Sequence, residues 1–315
     1  MPLDPQIQAM RERRVQAAAP QLYTLSLAEA RAADLASIQA EAHDPEPVHE
    51  VVDRAVPAEG RDIPVRVYRP SAEAVLPTLL YFFGGGWTLG GLDTSDGVCR
   101  SLANLAGVQV VAVGYRLAPE HRFPAAVNDC HDVLRHIAAH SDEFGTNAGT
   151  LAVAGDSAGG NLAAVAALLA RDDELELAGQ LLVYPNTDQL AVEGSMLQNG
   201  DPWLFNHRSV SWYRKHYLAD EADALNPLAS PLLAPDLSGL PPALIITAEY
   251  DPLRDQGEAY ARRLAAAGVS VELTRYEGMV HGFFTMTGAV DAARHAVDQA
   301  AGALRGWFAM DKVAH

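Results

Sequence analysis

Residues 150–170 read TLAVAGDSAGGNLAAVAALLA: a short apolar strand, a tight glycine turn and a helix-forming run. Gly155, Asp156, Ser157, Ala158 and Gly159 fit the pattern G-x-S-x-G. The pentapeptide alone would occur by chance in roughly one chain in ten of this size. Its strand, turn, helix setting makes it informative. A turn that sharp forces Ser157 into a strained backbone and lifts its hydroxyl above the sheet, while Gly155 and Gly159 leave room for the neighbouring strand and helix. It also sets the unpaired NH groups of a helix start beside any oxyanion that forms there.

Apolar runs alternate with helical stretches on both sides of this segment. TLLYFF (78–83), VQVVAVGY (108–115), GQLLVYP (179–185), PALIITAE (242–249) and VSVELTRY (269–276) read as strands, with helices expected around 95–106, 124–140, 158–171, 252–267 and 287–308. Near-continuous apolar strands between helices indicate an α/β fold with a mostly parallel sheet covered on both faces. Further upstream, VHEVVDRAV (48–56) and IPVRVYRP (63–70) alternate around the turn signal AEGRD, which predicts an antiparallel pair of edge strands and brings the sheet to eight. Residues 1–45 read as helical, with Ser26 to Glu29 forming a capping box. The alternation breaks at 187–240, which carries Trp203, Phe205, Trp212, Tyr213 and Tyr217. A structureless loop of that length is unexpected, so the segment is read as an inserted helical cap packing with the N-terminal helices.

A serine hydroxyl is a poor nucleophile at neutral pH and needs a base, usually a histidine oriented by a carboxylate. Of eleven histidines, His131, His136 and His140 share one expected helix and His295 another. His43, His49, His121, His207, His216 and His315 precede the strands, sit in the insertion or lie in other loops. His281 follows the last strand in EGMVHGFF, at the carboxyl edge where parallel-sheet sites collect. The acid is expected between Ser157 and His281 in chain order and at a strand end, which selects Asp251 in LIITAEYDPLRD. Asp255, one turn into the next helix, is the alternative and reads better as a cap or a partner of Arg254; Glu249 is too close to the strand. NH donors for a tetrahedral intermediate are expected from the run Phe82 to Trp87 after TLLYFF, since three glycines let the backbone turn its NH groups inward.

Composition narrows the function. Twenty-three basic residues against 40 acidic ones give a formal charge of −17, which argues against a nucleic-acid partner. The N-terminal MPLDPQIQAMRERR has no apolar leader and no later run approaches a membrane span, so a cytoplasmic protein with no membrane partner is expected. Cys99 and Cys130, outside any CxxC or zinc spacing, read as packing residues, and no metal site is expected.

Together these motifs resemble the hormone-sensitive-lipase-like (family IV) bacterial esterases, in the GDSAG branch. The resemblance runs from about residue 48 onward. It rests on IPVRVYRP, the glycine run, YRLAPEHRFPAAVND (115–129), GDSAGGNLA (155–163), NPLASPLLA (226–234), DPLRDQGEAYARRL (251–264) and VHGFF (280–284). It implies the α/β-hydrolase fold, a Ser157, Asp251, His281 triad, an oxyanion hole from the NH groups of Gly85, Gly86 and Ala158, and a cap forming the acyl pocket. Trp87, Asp156, Trp203 and Phe205 are expected to contact substrate. The implied activity is hydrolysis of short- to medium-chain esters without a cofactor, by a monomer or homodimer. The expected division is N-terminal cap helices (1–45), a catalytic domain (46–186 and 241–315) and an inserted cap (187–240). One departure stands out: the family's usual HGGG is FGGG here, with Phe83 at the histidine position. Because the donors are main-chain NH groups, catalysis is expected to survive, with Phe83 supporting the loop by packing. The competing readings are a non-catalytic small-molecule receptor, an amidase or peptidase, and a lipase with an exposed apolar lid.

Overall fold

The computed structural model describes residues 2–147 and 149–310. Eight strands form one sheet: β1 (Glu50–Ala58), β2 (Arg61–Arg69), β3 (Thr78–Phe82), β4 (Gln109–Val113), β5 (Leu151–Asp156), β6 (Gly179–Val183), β7 (Ala243–Tyr250) and β8 (Val271–Val280), in the order β1-β2-β4-β3-β5-β6-β7-β8. The β1–β2 and β2–β4 pairs are antiparallel and the other five are parallel. Only β1 of the expected edge pair is an edge, because β2 also pairs with β4 through Val65 to Tyr68.

Among the described residues ten α-helices surround the sheet or precede it: α1 (Pro5–Gln16), α2 (Leu27–Glu41), α3 (Asp96–Ala106), α4 (Ala125–Ala139), α5 (Ser141–Phe144), α6 (Ala158–Asp172), α7 (Ser195–Gln198), α8 (His207–Tyr217), α9 (Arg254–Ala266) and α10 (Asp291–Met310). Alternation along the strands splits the core into two layers. Leu80, Phe82, Val153 and Ile245 pack with Val133, Leu162 and Tyr260 of α4, α6 and α9. Leu79, Tyr81, Ala154 and Ile246 pack with Leu102 of α3 and with Ala300 and Leu304 of α10. Truncating any of these leucines to alanine is expected to cost about 2–5 kcal/mol. Cys99 and Cys130 are buried free thiols in these layers, and burial pushes both thiols up. Among the described residues no helix is long and apolar enough to cross a membrane.

The capping box forms at α2: Ser26 Oγ accepts from the Glu29 NH, and the Glu29 carboxylate accepts from the Ser26 NH at 3.0 Å. Helix α8 and the N-terminal segment meet through Tyr213, Trp212 and Phe205 against Ala30, Leu22, Leu25 and Leu27. Not all of 187–240 leaves the body, however. Leu218, Ala224, Ala229, Ala234, Leu237 and Leu240 enter the α4/α6/α9 layer, and Asn161 Nδ2 donates to the Ala229 carbonyl at 2.9 Å. Small and apolar side chains on this proline-containing stretch let the chain lie flat on α6 instead of rising above the sheet.

Candidate active site

Ser157 joins β5 to α6 at φ +58°, ψ −114°, a conformation that costs a residue with a Cβ about 1–3 kcal/mol. Its NH donates to the Val183 carbonyl at 2.8 Å, and its carbonyl accepts from the NH groups of Asn161 (3.0 Å) and Asn186 (3.2 Å). The glycines permit the crossing: a Cβ on Gly159 would run into the Phe82 carbonyl oxygen, and one on Gly155 into the Gly159 backbone. The strain is therefore held by the ends of three neighbouring strands.

Asp251 follows β7 directly and is fully buried. Its Oδ1 accepts from the Leu253 NH at 2.7 Å, and its Oδ2 lies 2.7 Å from His281 Nδ1. His281 Nε2 lies 2.8 Å from Ser157 Oγ. A proton on Nδ1, held by the carboxylate, leaves the Nε2 lone pair facing the serine hydroxyl, which is what a general base requires. The Phe205 ring stacks on His281 (centroids 4.1 Å apart, 20° between planes), and Tyr184 flanks it at 4.6 Å. The loop read around EGMVHGFF is shorter than expected, since β8 continues past a bulge to pair Val280 with Tyr250. His281 is thus the first residue after a strand.

The alternatives are committed elsewhere. Asp255 accepts from the Ser195 NH (2.7 Å) and Arg254 Nε (2.9 Å), and Glu249 accepts from the Gly278 NH (2.7 Å). His131 meets Asp173 (2.8 Å), His136 and His140 stack on one another, and His216 Nδ1 meets the Trp212 carbonyl (2.8 Å). His315 lies outside the described residues.

Gly85 and Gly86 turn at φ +113° and +60°, and a Cβ on Gly86 would meet the Tyr213 ring. The NH groups of Gly85, Gly86 and Ala158 enter none of the hydrogen bonds among the described residues. Phe83 is buried, stacked on Tyr115 at 4.2 Å and 15°, and its carbonyl accepts from the Tyr115 hydroxyl at 2.7 Å. Asp156 also lines the cavity, but its Oδ1 receives the Tyr81 hydroxyl (2.8 Å) and the Gly84 NH (3.0 Å). Burial pushes this carboxyl up, while the Tyr81 hydroxyl, His281 and the Gly84 NH pull it down. Asp156, expected to contact substrate, thus lines the cavity and also braces the base of the glycine loop. Trp87, also expected to contact substrate, lies elsewhere. It is buried, stacks on Tyr217 at 4.0 Å and 5°, and is absent from the cavity wall. At φ +57° its backbone turns the ring away from Ser157 into the core.

Above Ser157 and His281 opens a cavity of about 370 Å³ whose wall includes Trp203 and Phe205, and also Tyr213, Leu22, Ile38 and Asp34. Sequence reasoning missed these contributions from α2, α8 and the turn before α2. Arg31 ties α2 in place, donating to the carbonyls of Thr88 (3.0 Å) and Ala118 (3.1 Å) and pairing with Glu120 (2.8 Å).

Residues 79–285 match a protein family described as alpha/beta hydrolase fold. The chain is 47% identical over 244 residues to carboxylic ester hydrolase LipN of Mycobacterium tuberculosis, a match covering 75% of this chain and 65% of LipN, just under two thirds of that relative's length. It is 42% identical over 239 residues to an arylesterase of Saccharolobus solfataricus, covering 76% of this chain and 78% of that one. The structure of ester-hydrolase EH1AB1 from the metagenome of Lake Arreo, complexed with a bipyridine phosphonate derivative, superposes with a TM-score of 0.94 at 38% identity, covering 98% of this chain and 99% of its own.

Proposed function

From a chain that belongs to the hormone-sensitive-lipase-like family of α/β hydrolases, we propose a serine carboxylesterase of the GDSAG branch that cleaves short- to medium-chain esters through an acyl-enzyme. The observation that carries this reading is the continuous hydrogen-bond line Asp251, His281, Ser157 at the floor of the cavity.

Ser157 Oγ attacks the ester carbonyl carbon while its proton passes to His281 Nε2. The Asp251 carboxylate balances the imidazolium that results. Negative charge gathers on the former carbonyl oxygen, where the NH groups of Gly85, Gly86 and Ala158 stabilise it. Collapse breaks the bond to the alcohol oxygen, which takes the proton from His281, and the acyl group stays on Ser157. Water then attacks the acyl carbon, giving its proton to His281, and the carboxylic acid leaves as Ser157 recovers its proton. A cavity near the small end of ordinary ligand pockets favours short chains over long ones.

The proposal also takes 1–45 and the part of 187–240 reaching from Ser195 to Tyr217 as a composite cap, and the protein as a cytoplasmic monomer or homodimer. Hydrolysis of p-nitrophenyl esters from acetate to palmitate, compared between wild type and Ser157→Ala, tests the central reading. Turnover is expected to peak on short chains and to vanish in the variant. Activity only on emulsified long chains would instead indicate a lipase, and saturable binding without Ser157-dependent turnover a receptor.

A further inference from the structure

Asp34 lies on α2 and lines the same cavity as Ser157 and His281. Its Oδ2 is buried and accepts no hydrogen bond from any described group. Arg14, the one arginine or lysine among the described residues of that wall, is committed to Glu41 at 3.0 Å. Close by stand Tyr213, whose phenol the Asp34 carboxyl helps to push up, and Asp156, whose charge acts on Asp34 in turn. A carboxyl left without a donor at a buried position is less favourable than an apolar side chain of the same shape. It becomes favourable when the cavity's occupant brings the missing donor.

We propose that Asp34 is a specificity residue, and that the pocket takes esters bearing a hydroxyl group, which donates to the Asp34 carboxyl, in preference to purely alkyl esters of the same shape. This rests on Ser157 as nucleophile. The other carboxyl oxygen, Oδ1, enters no hydrogen bond among the described residues and is not occluded as Oδ2 is, so binding an analogue that lacks the donor strips solvent from Oδ1 and returns nothing. Burial, and after it the charge of Asp156, push the Asp34 carboxyl up to about 7; both its neutral and its ionised form accept from a hydroxyl, so the preference holds across that range. With Asp156 and Glu41 on the same wall, esters carrying a carboxylate are disfavoured.

Two matched pairs test the proposal and show which half of the ester reaches Asp34. Ethyl 3-hydroxybutyrate against ethyl butyrate places the hydroxyl on the acyl half, and 3-hydroxybutyl acetate against butyl acetate places it on the alcohol half. Rates are followed by titration of released acid for wild type, Asp34→Leu, Asp34→Asn and Ser157→Ala. In wild type, one hydroxylated ester is expected to exceed its alkyl partner in kcat/KM by about tenfold or more, mainly through KM. That ratio drops below one in Asp34→Leu and falls to an intermediate value in Asp34→Asn, whose amide oxygen still accepts. Ratios near one for both pairs in wild type, or a ratio unchanged in Asp34→Leu, would overturn the proposal. Should Asp34→Leu fail to fold, the wild-type ratios and their several-fold fall in Asp34→Asn decide. Absence of Ser157-dependent turnover on all four esters would overturn the esterase reading together with this one.

Discussion

The floor and the roof of the cavity are built by different means. On the floor, Ser157, Asp251 and His281 each follow the last residue of a strand, β5, β7 and β8, and the strand pairing fixes their spacing before any side chain packs. On the roof, Tyr213, Phe205, Leu22 and Asp34 come from segments far apart in the chain, and their positions depend on apolar contacts and on Arg31. The two carboxylates show the difference. Asp251 spends both oxygens, on Leu253 and His281, whereas Asp34 leaves Oδ2 without a donor. A floor whose triad side chains are all engaged with one another defines the chemistry, and a roof with an unpaired carboxyl oxygen leaves room for selectivity.

If that contrast holds, damage to the floor is expected to strike the rate and spare the fold. Asp251→Asn should lower kcat by about 10⁴, because the amide no longer holds the proton on His281 Nδ1 in the form that keeps Nε2 free. Circular dichroism and melting temperature should change little by comparison. A residual rate above a hundredth of wild type would mean that another group orients His281.

The glycine loop lies between the two regions and sharpens the comparison. Phe83→Ala removes a buried ring stacked on Tyr115 and is expected to cost about 3–5 kcal/mol of stability by denaturant titration. Phe83→His is expected to change kcat by less than about a hundredfold, roughly one oxyanion donor's worth, since Asp156 already holds the Gly84 NH. A larger gain would show that the loop is loose as it stands.

The smallest expected effect belongs to the roof. The Asp34 carboxyl is pushed from its ordinary 3.8 up to about 7, with Asp156, Tyr213 and the Arg14–Glu41 pair around it. The folded state therefore holds a proton that the unfolded chain gives up between those values. Ionisation opposes folding increasingly as pH rises from about 4 to 7 and by a constant amount above that. Asp34→Asn removes the penalty, so its melting temperature should exceed that of wild type by a few degrees at pH 8 and by little near pH 4. The same gain at both pH values would contradict the raised carboxyl.

This division also explains what could be read from the chain alone. Gly155 to Gly159, Asp251 and His281 announce themselves through their neighbours, because a strand end, a tight turn and a helix start are local features. Asp255 could be set aside because it falls inside α9, where Ser195 and Arg254 do engage it. Trp87 could not be placed, because its ring is turned into the core by a positive φ and by Tyr217, and neither leaves a mark in the sequence. Asp156 sits in the motif itself, yet only the fold brings Tyr81 and Gly84 to its oxygen. The stretch from Leu218 to Leu240 reads as insertion until α6 supplies the surface it covers. Asp34 had no local signal at all, being one acid in an alanine-rich helix.

The most direct measurement is covalent labelling with a p-nitrophenyl alkylphosphonate, which mimics the tetrahedral intermediate and traps an activated serine. The expected result is release of about one equivalent of p-nitrophenolate per chain, with the mass increase on the peptide containing Ser157, and strong suppression in His281→Ala. Labelling elsewhere, or none at Ser157 in a folded protein, would contradict the account.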